Sequence, residues 1–266
     1  MKTFIVPTDF SDTSKNAAMF AASALAGVAD AHVILYNVFY GSYDDRKTIM
    51  ETALESIKAD MNAIAPSLKI TCFAEQDNKA SFVEAIDRLA RHQSADMVIM
   101  GITGSTKLEQ IFIGGNALDL VNKASFPVMV IPPDAIFTGI KNVMFTSDFK
   151  DVEKTTPATP LQAILNLFNP FVHVVNVDSE HYVELTEEYK AERAKIDAML
   201  EGYNHEFYFI RLFDFTEAIN AFAEDYKIDL ILTVPRRHSF LGSLFSGRHT
   251  KKMAYHSHVP MIAIHE

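Results

Sequence analysis

Short apolar runs alternate along this chain with stretches whose apolar residues recur every three or four positions. Thr3-Phe-Ile-Val6 reads as a buried strand that Pro7 stops. Thr8-Asp9-Phe10-Ser11-Asp12 is a polar loop, with Ser11 or Asp12 placed to cap the next helix. Ala17, Phe20, Ala21, Ala24, Leu25 and Val28 then repeat at helical spacing. Further strands are predicted at Val33–Val38, Leu68–Phe73, Asp96–Met100 and Val128–Ile131. Between them, helices are predicted from about Lys47 to Ile64, around Phe82, Ile86, Leu89 and Ala90, and through Ala117, Leu118, Leu120 and Val121. Val33-Ile-Leu-Tyr-Asn-Val38 is apolar on both faces, as in a parallel sheet covered by helices. Strict alternation of strand and helix predicts a doubly wound α/β fold with a five-stranded parallel sheet and right-handed crossovers.

The pattern then starts again. Lys141-Asn-Val-Met-Phe-Thr-Ser147-Asp148-Phe149 echoes Lys2 to Phe10, and Val172-His-Val-Val-Asn176-Val177 echoes Val33 to Val38 at the same offset. Phe215 to Ile219 echoes Phe82 to Ile86, and Asp229 to Leu232 echoes Asp96 to Ile99. Val259-Pro260 to Ile264 echoes Phe126-Pro127 to Ile131. Matches in one order across both halves indicate a duplication. The expected domains are residues 1–135 and 140–266, joined by a short linker around Pro132 to Gly139.

Composition narrows the class of protein. The 266 residues suffice for two average domains, and 48% apolar content is enough for their cores. A formal charge of −10 argues against tracking nucleic acid or an anionic membrane, since phosphate neutralisation needs clustered Lys and Arg. The lone Cys72 excludes an internal disulfide and fits a reducing cytoplasm. No signal-peptide pattern opens the sequence, and no apolar run is long enough to span a bilayer. A cytoplasmic protein is expected.

The most informative stretch is Gly101-Ile-Thr-Gly104-Ser105 through Gly114-Gly115-Asn116, lying between an apolar run and a helical pattern. Strand, glycine loop and helix start is the order a phosphate site needs. Glycines allow positive φ and close approach, and free N–H groups at a helix N-terminus face the anion. It is not a Walker A loop, whose glycine spacing and Lys-Ser/Thr it lacks. An ordinary strand-to-helix loop is the bland alternative.

Gly101-x-x-Gly104-x9-Gly114 resembles the ATP-binding signature of the universal stress proteins, Gly-x-x-Gly-x9-Gly-Ser/Thr, and Phe126-Pro127 to Ile131 resembles that domain's last strand. The family's closing hydroxyl residue is Gly115 here, which removes one phosphate donor that Asn116 or Ser105 would have to replace. With the duplication, the resemblance covers essentially the whole chain. It implies two tandem Rossmann-like sheets of the adenine nucleotide alpha hydrolase type. It also implies a nucleotide site at Thr8, Asp9, Val38, Gly101, Gly104, Ser105, Gly114, Gly115 and Asn116, where Asp9 faces the nucleoside and the backbone of Val38 meets adenine. The last strands of duplicated family members pair, implying an intrachain pseudo-dimer between Val128–Ile131 and Val259–Ile264, and a homodimer of whole chains is compatible with this.

In the second half Val234 and Arg237 stand where Gly101 and Gly104 stand in the first. That loop is expected to be structural; an anion site built from Arg236, Arg237 and Arg248 is the sharper alternative. Asp148 keeps the aspartate without the glycines, so Asp9 alone is a weak marker of binding. No catalytic constellation assembles. His238, His249, His256, His258 and His265 gather late but read as surface residues rather than zinc ligands. The expected function is a stress-response or regulatory module that binds ATP or a related adenine nucleotide, with or without Mg²⁺, in its first half and acts through an unnamed protein partner. A slow ATPase or nucleotide-transferring enzyme, and a nucleotide-free interaction module, are the competing readings.

Overall fold

Two units divide the chain, Met1–Thr138 and Gly139–Glu266. The computed structural model describes residues 2–40, 43–102, 115–177, 187–210, 215–235 and 259–265.

The first unit runs β1 (Lys2–Pro7), α1 (Asp12–Leu25), β2 (Ala31–Phe39), α2 (Tyr43–Ile64), β3 (Lys69–Gln76), α3 (Phe82–Gln93), β4 (Met97–Gly101), α4 (Gly115–Lys123) and β5 (Val128–Ile131). Its strands lie in the order β3-β2-β1-β4-β5 and pair in parallel throughout. The core is drawn from both faces of the sheet: Ile5, Val6, Val33, Leu35, Val98 and Val128 are all fully buried. Ser11 caps α1 by accepting from the Ser14 N–H, and Ser81 with Glu84 forms a capping box on α3. β3 runs to Gln76, three residues beyond the predicted end at Phe73. Its polar tail stays in the ladder because Asn37, Val38 and Phe39 of β2 continue to pair with Ala74, Glu75 and Gln76.

The second unit repeats the order with β6 (Asn142–Thr146), α5 (Val152–Thr155), α6 (Ala158–Phe168), β7 (Phe171–Val177), α7 (Glu187–Met199), β8 (His205–Ile210), α8 (Phe215–Asp225), β9 (Leu230–Thr233) and β10 (Met261–Ala263). Strand order is β8-β7-β6-β9-β10, again parallel. The duplication reaches individual hydrogen bonds. Asp96 accepts the N–H of Thr3 at the start of β1, and Asp229 accepts those of Lys141 and Asn142 at the start of β6.

One element differs in kind. The first helix of the second unit is split into α5 and α6 at Thr156-Pro157. Pro157 cannot donate, and it pushes Thr156 into extended backbone at φ −111° and ψ 106°. The segment leading out of β5 is held on α1. The Asn16 side-chain amide donates to the carbonyls of Pro132 and Ala135, at 3.3 and 3.1 Å, and Phe137 sits edge-on to Phe20 at 5.4 Å.

Candidate functional site

In the first unit the chain leaves β1 toward β2 on one side, while β4 flanks it on the other. This is a topological switch point, and in open α/β sheets the crevice beyond the carboxyl ends of the strands at such a point is where ligands bind. Thr8 and Asp9 follow β1 and Gly101 ends β4, so all three stand at the carboxyl ends of these neighbouring strands.

Thr8 is buried and spends its polar groups within the protein. Its N–H donates to the Tyr36 carbonyl at 2.8 Å, and its carbonyl accepts from the Asn37 amide at 2.8 Å. Its Oγ1 accepts the Phe10 N–H at 3.0 Å and lies 2.9 Å from the Ser14 hydroxyl. Asp9 is exposed, and its Oδ1 accepts from the N–H and hydroxyl of Ser11, at 3.1 and 2.5 Å. Partial burial pushes this carboxyl up, but the hydrogen bonds from Ser11 and Ser14 outweigh it and hold the group below its ordinary range. Phe10 completes the turn with φ +65°.

Gly101 has a packing reason that the sequence did not disclose. A methyl group placed on it would come within 2.9 Å of both the Cγ2 and the carbonyl oxygen of Thr13. The first turn of α1 therefore lies directly over the end of β4, and glycine is what lets it approach. Gly115 is different: a Cβ there meets nothing within 4 Å among the described residues. Gly115 and Asn116 are exposed at the start of α4, whose N–H groups and dipole favour an anion. Gly104, Ser105 and Gly114 lie outside the described residues.

Val38 pairs with Glu75 of β3, and a network unseen in the sequence pins that edge. Tyr36 donates to Glu75 at 2.6 Å, while Arg88 donates to Glu75 and Asp77 at 2.7 and 2.8 Å. Asp77 also accepts the N–H groups of Lys79 and Ala80; these bonds and the one from Arg88 push its carboxyl down to about 2. Burial, then Glu75, drive the Tyr36 phenol well above its usual range. Thirteen residues separate Glu75 from Arg88, and only the β3–α3 turn brings them into contact. A shallow concavity near Val28, Asp30, Ser67 and Lys69 lies at the amino ends of β2 and β3, away from the crevice.

The second unit repeats the turn. Ser147 accepts the Phe149 N–H on its Oγ at 3.1 Å, the Asn176 amide donates to the Ser147 carbonyl at 2.8 Å, and Phe149 has φ +52°. Its surroundings have closed in. Phe149 is buried among Tyr189, Phe207 and Phe209, with centroids 5.0 to 6.1 Å away, whereas Phe10 is half-buried. Glu192 of α7 reaches the start of α5 and accepts the Val152 N–H at 2.7 Å. Val234 follows β9; Arg236, Arg237, Arg248 and the histidines His238, His249, His256 and His258 lie outside the described residues. His265 is half-buried, and no cluster of metal-ligating side chains occurs among the described residues.

The universal stress protein family model matches residues 1–132 and 170–265. Two universal stress proteins of Methanocaldococcus jannaschii are each 26% identical to this chain, over 140 and 152 residues. Each match covers 49% of this chain, and 81% and 94% of the respective relatives. A universal stress protein from Archaeoglobus fulgidus superposes with a TM-score of 0.71 at 17% identity, covering 99% of this chain and 96% of that one. A universal stress protein solved in complex with cAMP matches 50% of this chain at 19% identity, with a TM-score of 0.41.

Proposed function

This chain belongs to the universal stress protein family, and we propose that it is a regulatory module whose first unit binds ATP or a related adenine nucleotide. One observation carries the reading: in the first unit the turn after β1 and the end of β4 lie on neighbouring strands at a topological switch point, and the start of α4 is exposed. An anion gains from the N–H groups and dipole of α4, and a nucleoside extends from there along the ends of β1 and β2. The phosphates are assigned to the segment Gly101 to Asn116, the nucleoside to Asp9 and the base to the Val38 backbone.

The second unit does not share this function. It has Val234 and Arg237 at the positions of Gly101 and Gly104, and its ring cluster encloses Phe149. The sequence carries no recognisable catalytic constellation, so we propose binding rather than hydrolysis. Protein contacts then transmit the bound state.

Calorimetric titration with ATP and Mg²⁺ tests this, with cAMP in a parallel arm. The expected result is one site per chain, abolished by Gly104→Val in a protein that still folds. Two equal sites, or one site indifferent to Gly104→Val, would overturn the assignment. Release of inorganic phosphate over hours would favour the enzymatic reading instead.

A further inference from the structure

A parallel ladder has a fixed arithmetic. β1 and β2 are in register from Lys2↔Ala31 to Pro7↔Tyr36, and the last rung is the Thr8 N–H donating to the Tyr36 carbonyl. Peptide groups on a strand alternate between neighbours, so Val38, two residues after Tyr36, also turns its N–H and C=O toward β1. The next two rungs of a continuing ladder would run from the Val38 N–H to the Thr8 carbonyl, and from the Phe10 N–H to the Val38 carbonyl.

Both β1 partners are taken by side chains. The Asn37 amide occupies the Thr8 carbonyl at 2.8 Å, and the Thr8 Oγ1 occupies the Phe10 N–H at 3.0 Å. Neither bond is incidental, since Asn37 and Thr8 are both about 94% buried, at 6% exposure, and a buried carbonyl must find some donor. Asn37 gives up something in return: its Oδ1 is buried without a hydrogen-bond partner among the described residues.

We propose that Thr8 and Asn37 are positioning residues of the base site, whose side chains end the β1–β2 ladder early and leave the Val38 N–H and C=O facing the crevice. A peptide offering one donor and one acceptor side by side complements an edge with one acceptor and one donor, as N1 and the 6-amino group of adenine present. This rests on the proposed reading of the crevice as a nucleotide site and adds two residues that set its base preference. The pairing is not peculiar to this turn's sequence, because Ser147 and Asn176 perform the same interception in the second unit.

Residue-resolved amide exchange decides the ladder, and nucleotide binding decides its use. In the wild-type chain the Val38 amide should exchange about 100-fold faster than the Tyr36 amide, although both face β1. Asn37→Leu should slow Val38, whose N–H then takes the Thr8 carbonyl. Thr8→Val instead frees the Phe10 N–H for the Val38 carbonyl and leaves the Val38 amide fast. Each should weaken ATP by about tenfold. They should also erode the preference for ATP over inosine triphosphate, whose N1 carries a proton. Thr8→Ser, which keeps the hydroxyl, should behave as wild type on all three measures. A Val38 amide as slow as Tyr36 in the wild type would overturn the proposal, and so would ATP binding unchanged in both variants. If the wild type takes up no adenine nucleotide, the functional reading fails, while the exchange pattern still decides whether Thr8 and Asn37 end the ladder.

Discussion

In the first unit α1 runs unbroken from Asp12 to Leu25 and presses Thr13 onto the end of β4, where only glycine fits. In the second, the corresponding helix is cut after Thr155, the Val152 N–H is satisfied by Glu192, and a valine follows β9. The turn after the first strand is the same in both, down to its side-chain hydrogen bonds and its left-handed phenylalanine. The two halves therefore separate what the fold requires from what a ligand requires. The turn belongs to the fold. The glycine at the end of the fourth strand belongs to the packing of one particular helix. Among the described residues, Gly115 and the start of α4 are what we assign to the phosphates alone, while the shared turn serves the fold in both units and, in our reading, the nucleoside in the first.

Gly101→Val places the second unit's residue in the first and should break the comparison most visibly. The clash is with backbone as well as side chain, so a cost of about 1–3 kcal/mol is expected. In a chain of this size the melting temperature should fall by roughly 2–4 °C for each kcal/mol. A thermal scan showing no loss would mean that α1 yields readily.

Asp9→Ala and Asp148→Ala sharpen the comparison, because each removes the acceptor for an N–H two residues on. Each should cost about 1 kcal/mol of stability in denaturant titrations. Only Asp9→Ala should also weaken ATP; equal effects on ATP would erase the asymmetry.

Gly115→Ser restores a hydroxyl where the family signature has one. Since a Cβ there meets nothing within 4 Å among the described residues, stability should hold. Phosphate affinity should rise by up to about 1 kcal/mol, read by calorimetry.

The smallest effect is one of pH. His173 is buried among Phe171, Tyr208, Phe222 and Tyr226, and burial holds its imidazole below 6.5 despite the opposing pull of Glu206. The folded state binds this proton less readily than the unfolded chain. The neutral ring's contribution is thus complete above pH 6.5 and is lost as pH falls below it. His173→Phe should lose less melting temperature than wild type between pH 7.5 and 5.5, while His32, also depressed by burial, leaves a residual slope in the first unit.

The alternation of strand and helix, the parallel sheet and the duplication were legible in the sequence because apolar runs and helical periodicity report burial directly, residue by residue; the strand order was not. The Ser11 cap and β5 at Val128–Ile131 were legible for the same local reason. The split at Thr156-Pro157 has its local signal in the proline. The site was only half legible. Thr8 and Asp9 follow β1 and Val38 lies near the end of β2, as the strands read from the sequence have them, while their part in a site was implied only by the family resemblance. The surroundings of Thr8 and Gly101 depend on Asn37 and Thr13, partners fixed by the fold rather than by spacing. The Tyr36–Glu75–Arg88–Asp77 network joins three elements and has no local signature.

Phe10 and Phe149 hold backbone angles that glycine would adopt more cheaply, at a cost on the order of 1 kcal/mol each. Within one chain, two descendants of a single ancestral unit have drifted apart in their loop glycines and in the continuity of a helix, yet both still carry this unfavourable residue. Drift has therefore run at two speeds inside one domain. Substitution should have found an easy escape at either phenylalanine and has taken neither. Within this chain, Thr/Ser-Asp-Phe after the first strand has outlasted the loop glycines, and it marks the common ancestry of the two halves where the glycines no longer do.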